Sequence, residues 1–235
     1  MKERKRAILS AIIKEHVHGD GKPVASQALV DKYKLELSSA TVRNEMADLE
    51  SEGLIFQPHT SAGRIPTEKG WQYYIENFLV EKQPAQAQMT LLEKALHKRE
   101  QAQTDVAVKN VARTLAEISQ NAVFVGFSRD NVYYTGLSNL FNHPEFADID
   151  LVRHLSAIVD HLDDVIAELF SKVTDTPRIL VGSENPFGKE CSTIFSPYQV
   201  KGCEPGLIGV LGPVRMDYED AFALVNYTKK LFAHA

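Results

Sequence analysis

Apolar residues recur at helical spacing through the first 80 positions, and each run ends at a residue that stops a helix. Ile8, Ile12 and Ile13 fall on one side of a segment over 4–17, a spacing that stacks side chains on a single helical face. Gly19 to Pro23 reads as a turn. Ser26 to Tyr33 (SQALVDKY) reads as a second, short helix with Ala28 and Leu29 facing inward. Val42, Met46 and Leu49 mark a third, with Ser38 and Ser39 as N-cap candidates and Gly53 as its C-terminal stop. Leu54, Ile55 and Phe56 then make a short apolar strand. Residues 57–63 (QPHTSAG) are turn-rich, and Arg64-Ile65-Pro66 reads as the return strand. Pro58 and Pro66 fit only edge strands. Thr67 can cap a fourth helix whose Trp71, Tyr74, Ile75 and Phe78 form an apolar stripe, with Trp71 read as core rather than as a platform for bases.

Three short helices followed by a hairpin is the winged form of the helix-turn-helix. The polar face of the third helix fits that reading. Thr41, Arg43 and Asn44 lie near its N-terminus, the end that meets base edges when such a helix enters the major groove. Arg43 can donate two parallel bonds to guanine, and Asn44 can pair in the same manner with adenine. In the hairpin, His59, Thr60, Ser61 and Arg64 are donors suited to phosphate.

Further on the pattern changes. Residues 83–88 (QPAQAQ) read as a junction. A helical connector follows from about Thr90 to Gln120, with Val108, Val111, Leu115 and Ile118 spaced by three and four. Its polar first half (KALHKREQAQTD) suits either a bridging helix or one side of a helix pair between subunits. Beyond it, Ala122–Phe127, Val132–Leu137, Arg178–Gly182, Ser192–Phe195 and Leu207–Leu211 read as strands. A helix from about Phe146 to Phe170 and a final one capped by Asp217 and running to Leu231 flank them. Strands mixed with helices predict an α+β sheet domain. The expected organisation is therefore a DNA-binding domain over 1–82, a helical connector over 83–120 and an α+β domain over 121–235. Glu184, Arg215 and Asp217 near strand ends could line an effector cleft, or serve as caps and surface pairs.

Composition narrows the options. Two cysteines, Cys191 and Cys203, make no disulfide framework. No apolar run is long enough to span a membrane. The charged start MKERKR lacks the apolar core of a secretion signal. A cytoplasmic protein is expected. There is no phosphate loop, GxSxG or HExxH, so no catalytic, cofactor or metal residue is nominated. The net charge of −5 argues against DNA binding unless it is unevenly placed. Residues 1–82 hold 12 Lys+Arg and 12 Asp+Glu, whereas 83–235 hold 14 and 19. For the N-terminal part to bind DNA, Glu45, Asp48, Glu50 and Glu52 must largely face away from phosphate. Few neutralised phosphates then imply a moderate salt dependence.

Three segments, KPVASQAL, LSSATVRNEMADLE and EGLIFQPHTSAGRIPTEKGWQYY, closely resemble the N-terminal domain of the heat-inducible transcription repressor family, HrcA. ILVGSEN, ECSTIFSPY and GLIGVLGPVRMDYEDAFALVNY resemble the GAF-like part of the same family. The resemblance implies a dimer that represses chaperone operons by binding an inverted-repeat operator, the CIRCE element, with activity set by a GroEL-type chaperonin. It assigns base reading to Ser39, Thr41, Arg43 and Asn44, and the wing role to His59, Thr60, Gly63 and Arg64. Typical members run about 100 residues longer and carry a domain inserted after the strand that Ala122–Phe127 resembles. Here that strand leads almost directly into Val132–Leu137, with only Ser128-Arg129-Asp130-Asn131 between. The competing expectation is a ligand-responsive winged-helix regulator that uses the GAF-like domain as a small-molecule sensor.

Overall fold

The computed structural model describes residues 1–19, 21–33, 36–97, 104–147 and 149–234, leaving aside the side chains of His154 and Leu155. They form two compact units, Met1–Val80 and Glu81–Ala235.

In the first unit, α1 (Glu3–His18), α2 (Ser26–Tyr33) and α3 (Ser39–Ser51) pack on one another, and α4 (Glu68–Phe78) packs on α1. The core is made by Ile8, Leu9, Ile12, Ile13, Leu29, Val42, Met46, Leu49 and Trp71, all nearly free of solvent. Between α3 and α4 lies the hairpin β1 (Ile55–Phe56) and β2 (Ile65–Pro66). This is the winged helix-turn-helix arrangement. The caps are as the sequence suggested: the Ser38 hydroxyl accepts from the Thr41 N–H, and the Thr67 hydroxyl from the Gly70 N–H at 3.0 Å. Ala28 departs from expectation, being exposed, while Ser26 is buried beside Leu29. In a helix of eight residues the inward face is set by its neighbour: the Ser26 hydroxyl lies 3.0 Å from the Ser39 hydroxyl of α3.

The second unit opens with α5 (Gln86–His97) and α6 (Thr104–Ser119), not one long helix. Leu92, Ala95 and Leu96 of α5 are buried, as are Val108, Val111, Ala112 and Leu115 of α6. The two pack on each other, forming a helix pair within the chain. Residues 98–103 of the expected polar stretch lie outside the described residues.

A five-stranded antiparallel sheet follows, in the order β4-β3-β7-β6-β5. Its strands are β3 (Ala122–Gly126), β4 (Val132–Thr135), β5 (Arg178–Val181), β6 (Cys191–Tyr198) and β7 (Gly206–Pro213). The expected helix over 146–170 is broken. A 3-10 turn (Pro144–Ala147) leads into α8 (Ile149–Val159), and α9 (Leu162–Ser171) starts afresh after Asp160 and His161. A short helix that the sequence did not suggest, α7 (Leu137–Phe141), follows β4.

The sheet is covered on both faces. Phe124, Phe195, Leu207 and Leu211 point to Leu140 of α7 and to Leu162, Ile166 and Leu169 of α9. The alternate positions of β6 and β7 meet α10 (Tyr218–Ala233), as in the ring contact of Tyr198 with Phe232 at 4.9 Å. Opposite Phe124 the chain has Gly209, where even a methyl group would overlap the ring. That double burial is why β3 and β7 read as continuous apolar runs.

Candidate nucleic-acid interface

The exposed edge of α3 is made of small and polar residues. At 100° per residue, Ala40, Arg43, Asn44 and Ala47 share one line opposite the buried Val42, Met46 and Leu49. Among the described residues, the Arg43 and Asn44 side chains make no hydrogen bond or ion pair, so their donors face solvent. Ala40 and Ala47 were not singled out from sequence. Their signal was present in the spacing 40, 43, 44, 47, and their small size lets the helix come close to a partner surface.

The acidic residues of the same helix are accounted for. On the flank that meets α1, Arg4 Nε donates to Glu45 Oε1 at 2.7 Å. Lys5 Nζ lies 2.7 Å from Glu52 Oε1 and 3.2 Å from Asp48 Oδ2. The bond to Glu52, helped by Asp48, holds the Lys5 ammonium above the usual lysine range. On the opposite flank, Arg64 Nε donates to Glu50 Oε2 at 2.9 Å. All four carboxylates thus have a basic partner inside the unit. The exposed edge of α3 keeps Arg43 as its cation, although the unit is charge-neutral as a whole.

The wing is tied down more tightly than its turn-rich sequence suggests. Val24, in the segment between α1 and α2, forms a bridge with Arg64, through N–H to C=O bonds of 2.8 and 2.9 Å in the two directions. The hairpin therefore has a third, one-residue strand. Gly63 sits against it, where a Cβ would fall 2.3 Å from the Val24 carbonyl oxygen. Inside the loop, Gln57 Nε2 donates to the carbonyls of Thr60 and Ala62 at 3.0 and 2.8 Å.

The eight candidate residues therefore fall into groups. Arg43, Asn44, His59 and Thr60 are exposed, and their side chains are unpaired among the described residues. Ser39 bridges to α2, and the Thr41 hydroxyl lies 2.9 Å from that of Ser38 within the cap. Gly63 is required by close packing. Arg64 is largely covered, at 17% side-chain exposure, and spends its Nε on Glu50. A cleft of about 380 Å³ opens between α3 and the wing, lined by Arg43 and Met46 on one side and Gln57, Thr60, Ser61 and Arg64 on the other.

Of the polar residues considered for an effector cleft in the second unit, Glu184 is exposed and the other two are engaged elsewhere. Arg215 pairs with Glu145, and the Asp217 carboxylate caps α10 by accepting from the Asp220 N–H at 3.0 Å. Among the described residues there is no cluster of His, Cys, Asp or Glu that could hold a metal ion, and no helix is long and apolar enough to cross a membrane.

A family model described as the HrcA protein C terminal domain matches residues 67–221. The heat-inducible transcription repressor HrcA of Natranaerobius thermophilus is 28% identical over 323 aligned positions, covering 94% of this chain and 93% of its own. That of Carboxydothermus hydrogenoformans is 27% identical over 332 positions, covering 97% and 96%. Since 94% of 235 residues is about 220, about 100 of the 323 positions carry no residue of this chain. In the structure, β3 and β4 form a hairpin closed by a bond from the Phe127 N–H to the Asn131 carbonyl at 2.9 Å, which leaves room for no domain there. A crystal structure described as that of a hypothetical protein matches with a TM-score of 0.80 at 19% identity, over 100% of this chain and 99% of the other, and so shares the fold.

Proposed function

The chain belongs to the HrcA family of heat-inducible transcription repressors, and we propose that it represses chaperone operons by seating its winged unit on an inverted-repeat, CIRCE-type DNA operator. The observation that carries this is the edge of α3. Ala40, Arg43, Asn44 and Ala47 face outward together, and the carboxylates of the same helix are paired within the unit. Such an edge can enter a major groove without bringing an uncompensated anion to the phosphates.

In this reading Arg43 takes guanine O6 and N7 and Asn44 takes adenine, while the Ala40 and Ala47 methyls lie against thymine methyl groups. Ser39 and Thr41 hold the N-terminal end of the helix at the bases, and their hydroxyls remain close enough to share in the contact. His59 and Thr60 at the wing tip, with Ser61, meet the backbone. Gly63 and Arg64 serve the wing by shaping it.

An inverted repeat calls for two copies related by a two-fold axis, so the active form is a homodimer. It acts in the cytoplasm, without chemistry on the DNA and without a cofactor. Heating lowers the folded, dimeric fraction, and a GroEL-type chaperonin restores it. A repressor of modest stability suits such a switch, because one or two kcal/mol changes the folded fraction several-fold. For the sensor reading, Arg215 and Asp217 are held in an ion pair and a cap, which leaves Glu184 of the three residues considered.

Titrating the protein against an inverted-repeat duplex and a scrambled one, at several salt concentrations, tests the proposal. Preference for the repeat, with a moderate salt slope, is the expected result. Equal, weak and strongly salt-dependent binding to both duplexes would reject it.

A further inference from the structure

Glu50 and Gln57 form a clasp between the recognition helix and the wing. Glu50 follows Arg43 by seven residues, two turns further along the same line of α3. Its two carboxylate oxygens hold the two ends of the wing. Oε1 accepts the Gln57 backbone N–H at 3.1 Å, just after β1. Oε2 accepts Arg64 Nε at 2.9 Å, just before β2. The Gln57 side chain then reaches across the loop to the Thr60 and Ala62 carbonyls. The same Arg64 is joined through its backbone to Val24.

We propose that Glu50 and Gln57 are positioning residues for DNA binding: together they fix the height and tilt of the wing tip relative to Arg43 and Asn44 without touching DNA themselves. The proposal rests on the reading of α3 and the wing as the DNA-binding elements, and supplies how their mutual geometry is set.

The physical reasoning concerns order. An eight-residue loop bearing Gly, Ser, Thr and Pro has many conformations, and fixing it at the moment of binding would cost conformational entropy. A carboxylate that accepts from both ends, with an amide bridging the middle, meets that cost during folding. Preorganisation of this kind raises affinity without adding a contact. The clasp also places a negative charge in the unit that binds DNA, which has a use only if holding the wing matters more than the repulsion it adds.

That opposition gives the test. In the full chain, Glu50→Gln removes a negative charge, and electrostatics alone would tighten binding to any duplex. The clasp requires the reverse, because the amide that replaces one oxygen is a donor facing either Arg64 or the Gln57 N–H. The expected result is about 5- to 30-fold weaker binding to inverted-repeat and scrambled duplexes alike, the factor for one or two lost hydrogen bonds. Gln57→Ala should weaken both to a similar degree with an unchanged salt slope, since a neutral side chain releases no counterion. Tighter binding by Glu50→Gln would overturn the proposal. A changed base preference or salt slope in Gln57→Ala would also overturn it, by showing direct contact with DNA.

A second readout needs no DNA. Amide hydrogen exchange at Val24, Gln57 and Arg64 should quicken in both variants while the amides of α1 stay protected. Unchanged protection at the wing rejects the clasp, and loss at α1 as well would show general unfolding instead of a loosened wing. If the unmodified chain prefers neither duplex, the DNA reading fails, and the exchange data still decide whether the clasp exists.

Discussion

Replacing Gly63 with alanine tests how firmly the wing is anchored, and the size of the effect can be worked from the structure. The new Cβ would lie 2.3, 2.4 and 2.7 Å from the carbonyl oxygen, carbonyl carbon and nitrogen of Val24. These are backbone atoms, and they belong to the residue that exchanges two hydrogen bonds with Arg64. No side-chain rotation relieves the overlap. The wing must move away by about an ångström, and the bridge then breaks. Two backbone hydrogen bonds contribute about 1 kcal/mol each, and the strain of partial relaxation is on the order of 1–3 kcal/mol. These overlap in part, so the expected loss is about 2–4 kcal/mol. In a unit of this size each kcal/mol lowers the melting temperature by about 4–8 °C.

The assay is direct. Trp71, the only tryptophan of the chain, is buried in the winged unit and reports its unfolding within the full protein. Gly53→Ala is the control. Gly53 has φ +74° and open space around it, so alanine there meets only the left-handed backbone penalty of about 1–2 kcal/mol. Gly63→Ala should melt well below wild type and below the control, and should bind every duplex more weakly. A Gly63 variant within about 0.5 kcal/mol of wild type would refute the packing argument; so would one less damaging than Gly53→Ala.

Arg43→Ala and Asn44→Ala should leave the Trp71 melting curve unchanged, because both side chains are exposed, yet cost about 1–3 kcal/mol on the specific operator and relax base preference. Arg64→Ala should lower stability by at most about 1 kcal/mol, since its pair with Glu50 is partly exposed, and should weaken binding evenly across sequences as the wing loosens. With a thiol reagent near pH 8, Cys203 should react in the native protein, while Cys191 should wait for unfolding. Burial, aided by Glu190, pushes the Cys191 thiol up to about 12. Its folded value lies above the unfolded one, so no stability is lost below about pH 9. Between about pH 9 and 12 the unfolded thiol ionises first, and the second unit should become progressively less stable. A flat denaturation midpoint across that window would contradict the burial of Cys191.

Helix α3 was legible because several signals agreed. Ser38 caps it, Val42, Met46 and Leu49 give its period, and Gly53 with its positive φ ends it. The hairpin was legible from Pro58, Gly63 and Pro66. What could not be read was anything joining polar residues distant in sequence. The Arg4–Glu45 pair spans 41 positions, and Val24–Arg64 spans 40. The candidate residues were accordingly sorted only by the structure: Gly63 and Arg64 belong to the anchoring of the wing, while Ala40 and Ala47 join the exposed edge. Apolar periodicity also runs across breaks that carry no Gly or Pro. Asp160 and His161 interrupt a run from Leu151 to Leu169 that looks continuous, so one expected helix became two. Covering helices on both faces of the sheet were hidden for a related reason. A buried strand has no polar side to reveal which helix lies against it.

The central claim is that this chain reads an operator through α3, although it is some 100 residues shorter than its relatives. The most direct measurement is the affinity of the full chain for an inverted-repeat duplex and for its scrambled counterpart, with light scattering on the same samples to count chains per duplex. The account predicts two chains on the repeat, a clear preference over the scrambled duplex, and loss of that preference in Arg43→Ala. Equal affinity for both duplexes, or a preference that survives Arg43→Ala and Asn44→Ala together, would contradict it.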